Sequence, residues 1–176
     1  DVGPIVSPPL ASMEKNQRKR PAKDGSSLQR YAVGAKEDSG HQRRDFVVTM
    51  YAYAQLRMAR RNGLGPIVGL VEFSDTRDGM KIDTYLFGVP RGQHGLHVHE
   101  GRSCGPGRID GKVVPAGAAK GHFDPHKTGR HLGPYRPGHL GDLPRVTVDR
   151  DGISEETLLA PRVRVRDIIG RALIVH

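Results

Sequence analysis

With 176 residues the chain is long enough for one domain with a real core and some sequence to spare. Its formal net charge of +9 attracts anions, but aromatics make up 5% and tryptophan is absent, which argues against the base-stacking platform of a single-strand nucleic-acid binder. One cysteine, Cys104, excludes an intrachain disulfide, and no apolar run reaches the roughly 18 residues of a membrane-spanning helix.

Residues 1–45 are rich in Pro, Gly, Ser, Lys and Arg and carry neither a helical nor a strand period, so they read as a mobile basic tail. Its start, DVGPIVSPPLAS, lacks the basic beginning and long apolar stretch of a signal peptide. Within it KNQRKRPAK, Lys15 to Lys23, is a basic cluster that reads as a solvated, solubilising stretch or as a contact for anionic surfaces.

From Phe46 the character changes. FVVTMYAYAQL puts Val47, Thr49, Tyr51, Tyr53 and Gln55 on one face of a strand and Phe46, Val48, Met50 and Ala52 on the other. Asn62-Gly63 marks a turn, Pro66 to Phe73 the returning strand, and Asp78-Gly79 opens a third over Met80 to Val89. A fourth, histidine-bearing strand comes after Pro90-Arg91-Gly92. Short strands at regular spacing predict an antiparallel sandwich or barrel. Residues 101–141 then lose all apolar period, a length of loop that is uncommon unless functional or disordered. Strand alternation resumes at Arg145 to Asp149, turns at Asp151-Gly152, returns over Ile153 to Leu159, and appears last in Ala172 to His176.

The chemistry is concentrated in HGLHVHE, His94 to Glu100. In a strand His97 and His99 share a face, their roots roughly 6 to 7 Å apart, while Leu96 and Val98 face the other way into a core. Such a pair also occurs on ordinary half-buried strands. What makes it a metal reading is the loop after it, which holds His122, His126, His131, His139 and Asp142, because a bound cation would stabilise a segment with no apolar core of its own.

Taken in order, the HVHE strand, AxxGHFDP, HxxxxxxxHLGD and GRAxxVH resemble the copper-zinc superoxide dismutase family, in its bacterial form, over residues 46–176. The resemblance implies an all-β antiparallel Greek-key sandwich or barrel with a long metal-binding loop. It implies an enzyme that converts superoxide to dioxygen and hydrogen peroxide by copper redox cycling beside a structural zinc. His97, His99, His122 and His176 take the places of the copper ligands, and His122, His131, His139 and Asp142 those of the zinc ligands. His122 would bridge the two metals and couple proton to electron transfer. His94 falls at a supporting histidine, whereas His126 and His41 match no ligand position.

The family pattern continues past the VH motif with a further loop, an anion-guiding arginine and a closing strand with the second cysteine of a disulfide. This chain carries none of these, so Cys104 is expected to lack a disulfide partner and a sheet edge to stand open. Arg171 reads as part of the entry to the last strand. The expected partners are superoxide and a second copy of the chain or a larger assembly, and the rival reading is a catalytically weak or inactive docking subunit of such an assembly. The resemblance also implies a periplasmic or cell-envelope location.

Overall fold

The computed structural model describes residues 4–7, 9–13 and 50–176. Twelve strands are present among them: β1 (Ile5–Ser7), β2 (Ala11–Met13), β3 (Tyr51–Arg60), β4 (Gly63–Thr76), β5 (Gly79–Leu86), β6 (Gly92–His94), β7 (Leu96–Val98), β8 (Gly107–Ile109), β9 (Lys112–Val114), β10 (Val146–Val148), β11 (Ser154–Ala160) and β12 (Leu173–Val175).

The alternation in β3 sets the pattern. Tyr51, Tyr53 and Gln55 face outward and Ala52, Ala54 and Leu56 inward, as the period of two requires. β3 returns as β4 through Arg61-Asn62, with Gly63 at φ 133°, and the ladder runs from Arg60↔Gly63 to Tyr51↔Ser74 with a bulge around Arg57. β4 pairs with β5 from Thr76↔Gly79 to Gly69↔Leu86. At that second turn Gly79 has φ 144°, and a Cβ there would stand 2.5 Å from Pro161 Cα, so glycine is required.

The main sheet runs β11-β5-β4-β3-β1-β12-β7, with β2 also on β3, and β6 and β10 form a separate pair. Every pairing is antiparallel, and strands far apart in sequence become neighbours, which is the expected Greek-key arrangement. The inner faces meet in a core that includes Leu56, Val71, Phe73, Ile82, Leu96, Val98, Val146 and Leu173. At about 25 cal/mol per Å² of apolar surface removed from water, this burial is the main favourable contribution to folding.

The tail reading is corrected at its start. Ile5–Ser7 is a buried strand inserted between β3 and β12, and Ala11–Met13 pairs with β3. Three residues are too short to show a period, and Pro8-Pro9 breaks the sequence between the two strands, so no local signal marks either. The cluster Lys15 to Lys23, His41 and the first residues of the strand read from Phe46 lie outside the described residues. The strand that leads to His176, β12, has β7 on one side and β1 on the other.

The long loop is less plain than its sequence. It contains the hairpin β8–β9 and a short 3-10 helix at Gly117–Ala119. After β11, Val165–Ile168 forms one helical turn, α1, with the Asp167 carboxylate accepting from the Arg164 N–H at 2.9 Å and with Val165 and Ile168 buried.

Candidate metal centre

The pleat of β7 begins the centre. Leu96 and Val98 are fully buried in the core, which sends His97 to the opposite face, and His99 continues that face just beyond the strand. His97 depends on Gly95, where a Cβ would stand 2.6 Å from His97 Cε1. β12 lies along β7 in the register Leu173↔Val98 and Val175↔Leu96, and the His176 N–H donates to the Gly95 carbonyl at 2.9 Å. That places the His176 ring 5.0 Å from His97 and 5.6 Å from His99, centroid to centroid. His94 braces this corner, its Nδ1 and Nε2 each 2.8 Å from a carbonyl oxygen, of His176 and Pro90 respectively.

The loop closes from the other side. The Val98 N–H donates to Gly141, Phe123 to Val98 and Gly141 to Phe123, each at 2.9 Å. A Cβ on Gly141 would overlap the Val98 carbonyl oxygen, so these three backbones meet only because residue 141 is glycine. The bridges His99↔His122 and His97↔Asp142 arise from the same contact. His122 thereby stacks on His97, centroids 4.0 Å apart and planes 25° from parallel.

Two groups of donor atoms result, His97, His99, His122 and His176 in one and His97, His122, His131 and Asp142 in the other, the atoms of each lying within 4.8 Å of one another. Asp142 is buried. Its Oδ1 lies 3.0 Å from His122 Nδ1, 2.9 Å from His131 Nδ1 and 3.5 Å from His139 Nδ1. His139 is therefore at the edge of the second group and His97 is shared by both, which the motif spacing did not indicate.

These donors fit metal cations. The Nδ1 atoms of His97 and His139 are buried without a hydrogen bond, a costly arrangement unless something positive takes the lone pair. His99 Nδ1 donates to the Lys120 carbonyl at 2.7 Å, which fixes the tautomer and leaves the Nε2 lone pair facing His176 Nε2 at 3.4 Å. Imidazoles alone suit copper, and imidazoles with one carboxylate suit tetrahedral zinc.

Burial first, then repulsion by His122 and His176, holds His97 down to about 3. Burial also brings His99 down to about 4, against the upward pull of the Lys120 carbonyl. Burial lowers His122 and His176 too, so these rings are neutral near pH 7 and can donate a lone pair. Burial pushes Asp142 upward, but the His122 hydrogen bond, the His131 charge and the Gly133 N–H outweigh it and keep the carboxylate ionised.

His97, His99, His122, His131, His139, Asp142 and His176 thus all converge here, while His126 is exposed and belongs to neither donor group. Two contributors went unread in the sequence. Asp124, in GHFDP, accepts from the Gly129 N–H at 2.8 Å and from the Thr128 hydroxyl at 3.2 Å, an Asp-centred turn that Asp-Pro with Thr-Gly shortly after it could have signalled. Arg171 stacks its guanidinium 3.5 Å above the Phe123 ring and donates to the carbonyls of Glu100 and Asp167, both at 3.2 Å. No local pattern announces that contact.

Comparison with known proteins agrees with this geometry. The pattern of copper/zinc superoxide dismutase (SODC) matches residues 67–176. Copper-zinc superoxide dismutase 2 of Salmonella typhimurium is 42% identical over 123 residues, 69% of this chain and 71% of that protein. The copper-zinc superoxide dismutase of Brucella abortus is 46% identical over 115 residues, 65% of this chain and 66% of that protein. The solved Cu/Zn superoxide dismutase from Brucella abortus superposes with a TM-score of 0.70 at 42% identity, covering 72% of this chain and 82% of that one. The chain therefore belongs to the copper/zinc superoxide dismutase family.

Proposed function

We propose that this chain disproportionates superoxide, two anions and two protons giving dioxygen and hydrogen peroxide, at a copper held by His97, His99, His122 and His176 beside a zinc held by His122, His131, His139 and Asp142. The observation that carries the proposal is the convergence of four neutral imidazoles at the end of β7 and β12, with His97 Nδ1 buried and unpaired. Copper bound there supplies the one-electron exchange that the reaction needs, and zinc supplies a fixed positive charge that ties the loop together.

The chain's own residues do the rest. His122 turns Nδ1 toward Asp142 Oδ1 at 3.0 Å, the side on which zinc would be held by both, so Nε2 is the nitrogen left for the copper group and the atom that could hold a proton beside the reacting anion. Asp142 collects His122, His131 and His139 around one carboxylate and so fixes their orientation. The Lys120 and Pro90 carbonyls set the rings of His99 and His94. The formal charge of +9 favours the approach of a small anion. A periplasmic or envelope location belongs to the same reading and is checked by cell fractionation.

The test is the rate of superoxide loss with the chain loaded with copper and zinc, beside a His97→Ala, His99→Ala control, with the metal content of both measured. Loss that disappears with the control's copper supports the proposal. Equal loss in the two chains, or loss no faster than that of free copper, overturns it.

A further inference from the structure

His176, one of the copper ligands proposed above, follows β12, and that strand is held on one side by residues from the start of the chain. We propose that β1 (Ile5–Ser7), together with Leu10, is a positioning element for the copper group: seated against β12 and the residues before it, it holds His176 in place, so that unseating it weakens copper binding and spares zinc. The proposal rests on the ligand reading above.

The contact is extensive for so short a piece. β1 pairs with β12 as Ile5↔Val175, Val6↔Ile174 and Ser7↔Leu173, and with β3 as Ile5↔Met58 and Val6↔Arg57. On either side of it, the Ala59 N–H donates to the Pro4 carbonyl at 2.8 Å, Leu10 to Arg171 at 3.2 Å and Gly170 to Leu10 at 3.0 Å. The run from Gly170 to Val175 is thus tied along its length to these N-terminal residues. Side chains go the same way. Ile5 and Leu10 enter the main core, and Val6 joins Ala59, Cys104, Ala172 and Ile174 in a second cluster. Pro4 and Ile5 then meet His94, Val175 and His176 around a cavity of about 300 Å³, directly beside the copper group.

The zinc group is built differently. His131, His139 and Asp142 converge through the loop's own contacts and through Gly141 on Val98. Opening a three-residue strand is a local event, smaller than global unfolding, and it should release β12 before it releases the loop.

A built-in reporter makes this measurable. The Cys104 thiol is buried in the second cluster, with Val6 on one side and Ala116 and Ala119 among its other members, and donates to the Ser7 carbonyl, so lifting β1 away exposes it. The experiment uses the full chain and a Val6→Pro variant, which removes the Val6 N–H from a strand paired on both sides. Copper and zinc dissociation constants are measured by chelator competition, and Cys104 labelling by Ellman's reagent. The expected result is copper weakened by about 10-fold or more, as for loss of an outer support, with zinc within about 3-fold of wild type. Thiol labelling should accelerate in parallel. Because Val6→Pro could prevent folding, the wild-type chain carries a second measurement: the rates of copper loss to excess chelator and of Cys104 labelling, traced through urea concentrations below the unfolding transition. Both should rise with the same slope. A labelled thiol with copper held at full strength, or copper loss that ignores urea while labelling responds, overturns the proposal alone. A wild-type chain that binds no copper overturns the ligand reading, and the proposal with it.

Discussion

Acid should destabilise the metal-free chain well before its carboxylates titrate. His97 is held at about 3 and His99 at about 4, whereas both return to about 6.5 when the chain unfolds. The unfolded chain therefore binds more protons than the folded one below pH 6.5, so stability falls as pH falls and stops falling only near pH 4 to 3. Between pH 7 and 5 each ring contributes a loss of roughly 2 kcal/mol, about 4 kcal/mol for the pair, against a total stability of about 5 to 15 kcal/mol for an ordinary domain. His99 is almost fully buried and His97 largely so, which leaves little solvent screening to reduce this figure. The assay is urea unfolding in excess chelator at pH 7, 6 and 5. A His97→Gln chain should show a loss about 2 kcal/mol smaller than wild type between pH 7 and 5, because one strongly depressed ring is gone while His99, His122 and His176 remain. Equal midpoints at pH 7 and 5, or an undiminished drop in His97→Gln, would refute the reasoning. Asp142 is depressed rather than raised, so its contribution is present above the usual carboxylate range and is lost as pH falls through its own lower value, in a separate and more acidic window.

Three further outcomes are expected. Asp142→Asn keeps the shape but replaces the charged oxygen that His122, His131 and His139 surround, so zinc affinity should fall at least about 100-fold by chelator competition. Gly141→Ala forces a methyl against the Val98 carbonyl and the Phe123 backbone, and should cost about 1 to 3 kcal/mol in urea unfolding and weaken both metals together. Arg171→Ala removes the guanidinium from the Phe123 ring and from two carbonyls, with an expected loss of about 2 kcal/mol, and Arg171→Lys should restore less than half of it because an ammonium cannot reproduce the planar stack.

What could be read from the sequence was what repeats with a period or carries a dense motif. The two faces of β3 and the division of β7 between core and site come from alternation alone, and the glycine turns at Gly63 and Gly79 from backbone sterics. Long-range placement was harder. β1 escaped because three residues cannot display a period and because its partners are β3 and β12, the latter nearly the whole chain away. His139 stood on the same footing as His131 in the motif, yet in space it lies farther from Asp142, while His97 reaches both donor groups. Arg171 on Phe123 is a tertiary contact between two motifs and belongs to neither pattern.

The placement of charge explains why the loop and the cations need one another. Asp142 is the only buried carboxylate among the described residues, and it faces three imidazoles with no lysine or arginine ion pair. A buried ionised carboxylate must be compensated, and Asp142 accepts hydrogen bonds from His122 Nδ1 and from the Gly133 N–H. On the proposed ligand reading His122 would have Nε2 to give to copper, while His131, exposed, stands 2.9 Å from the same carboxylate. A dication held by Asp142 with these histidines would add coordination to those bonds and supply a positive charge that no lysine or arginine brings there. On the same reading the apolar strands would carry the copper side, whereas on the zinc side a cation would reinforce a loop whose own apolar burial rests on a few residues, Cys104, Ala116, Ala119 and Phe123 among them.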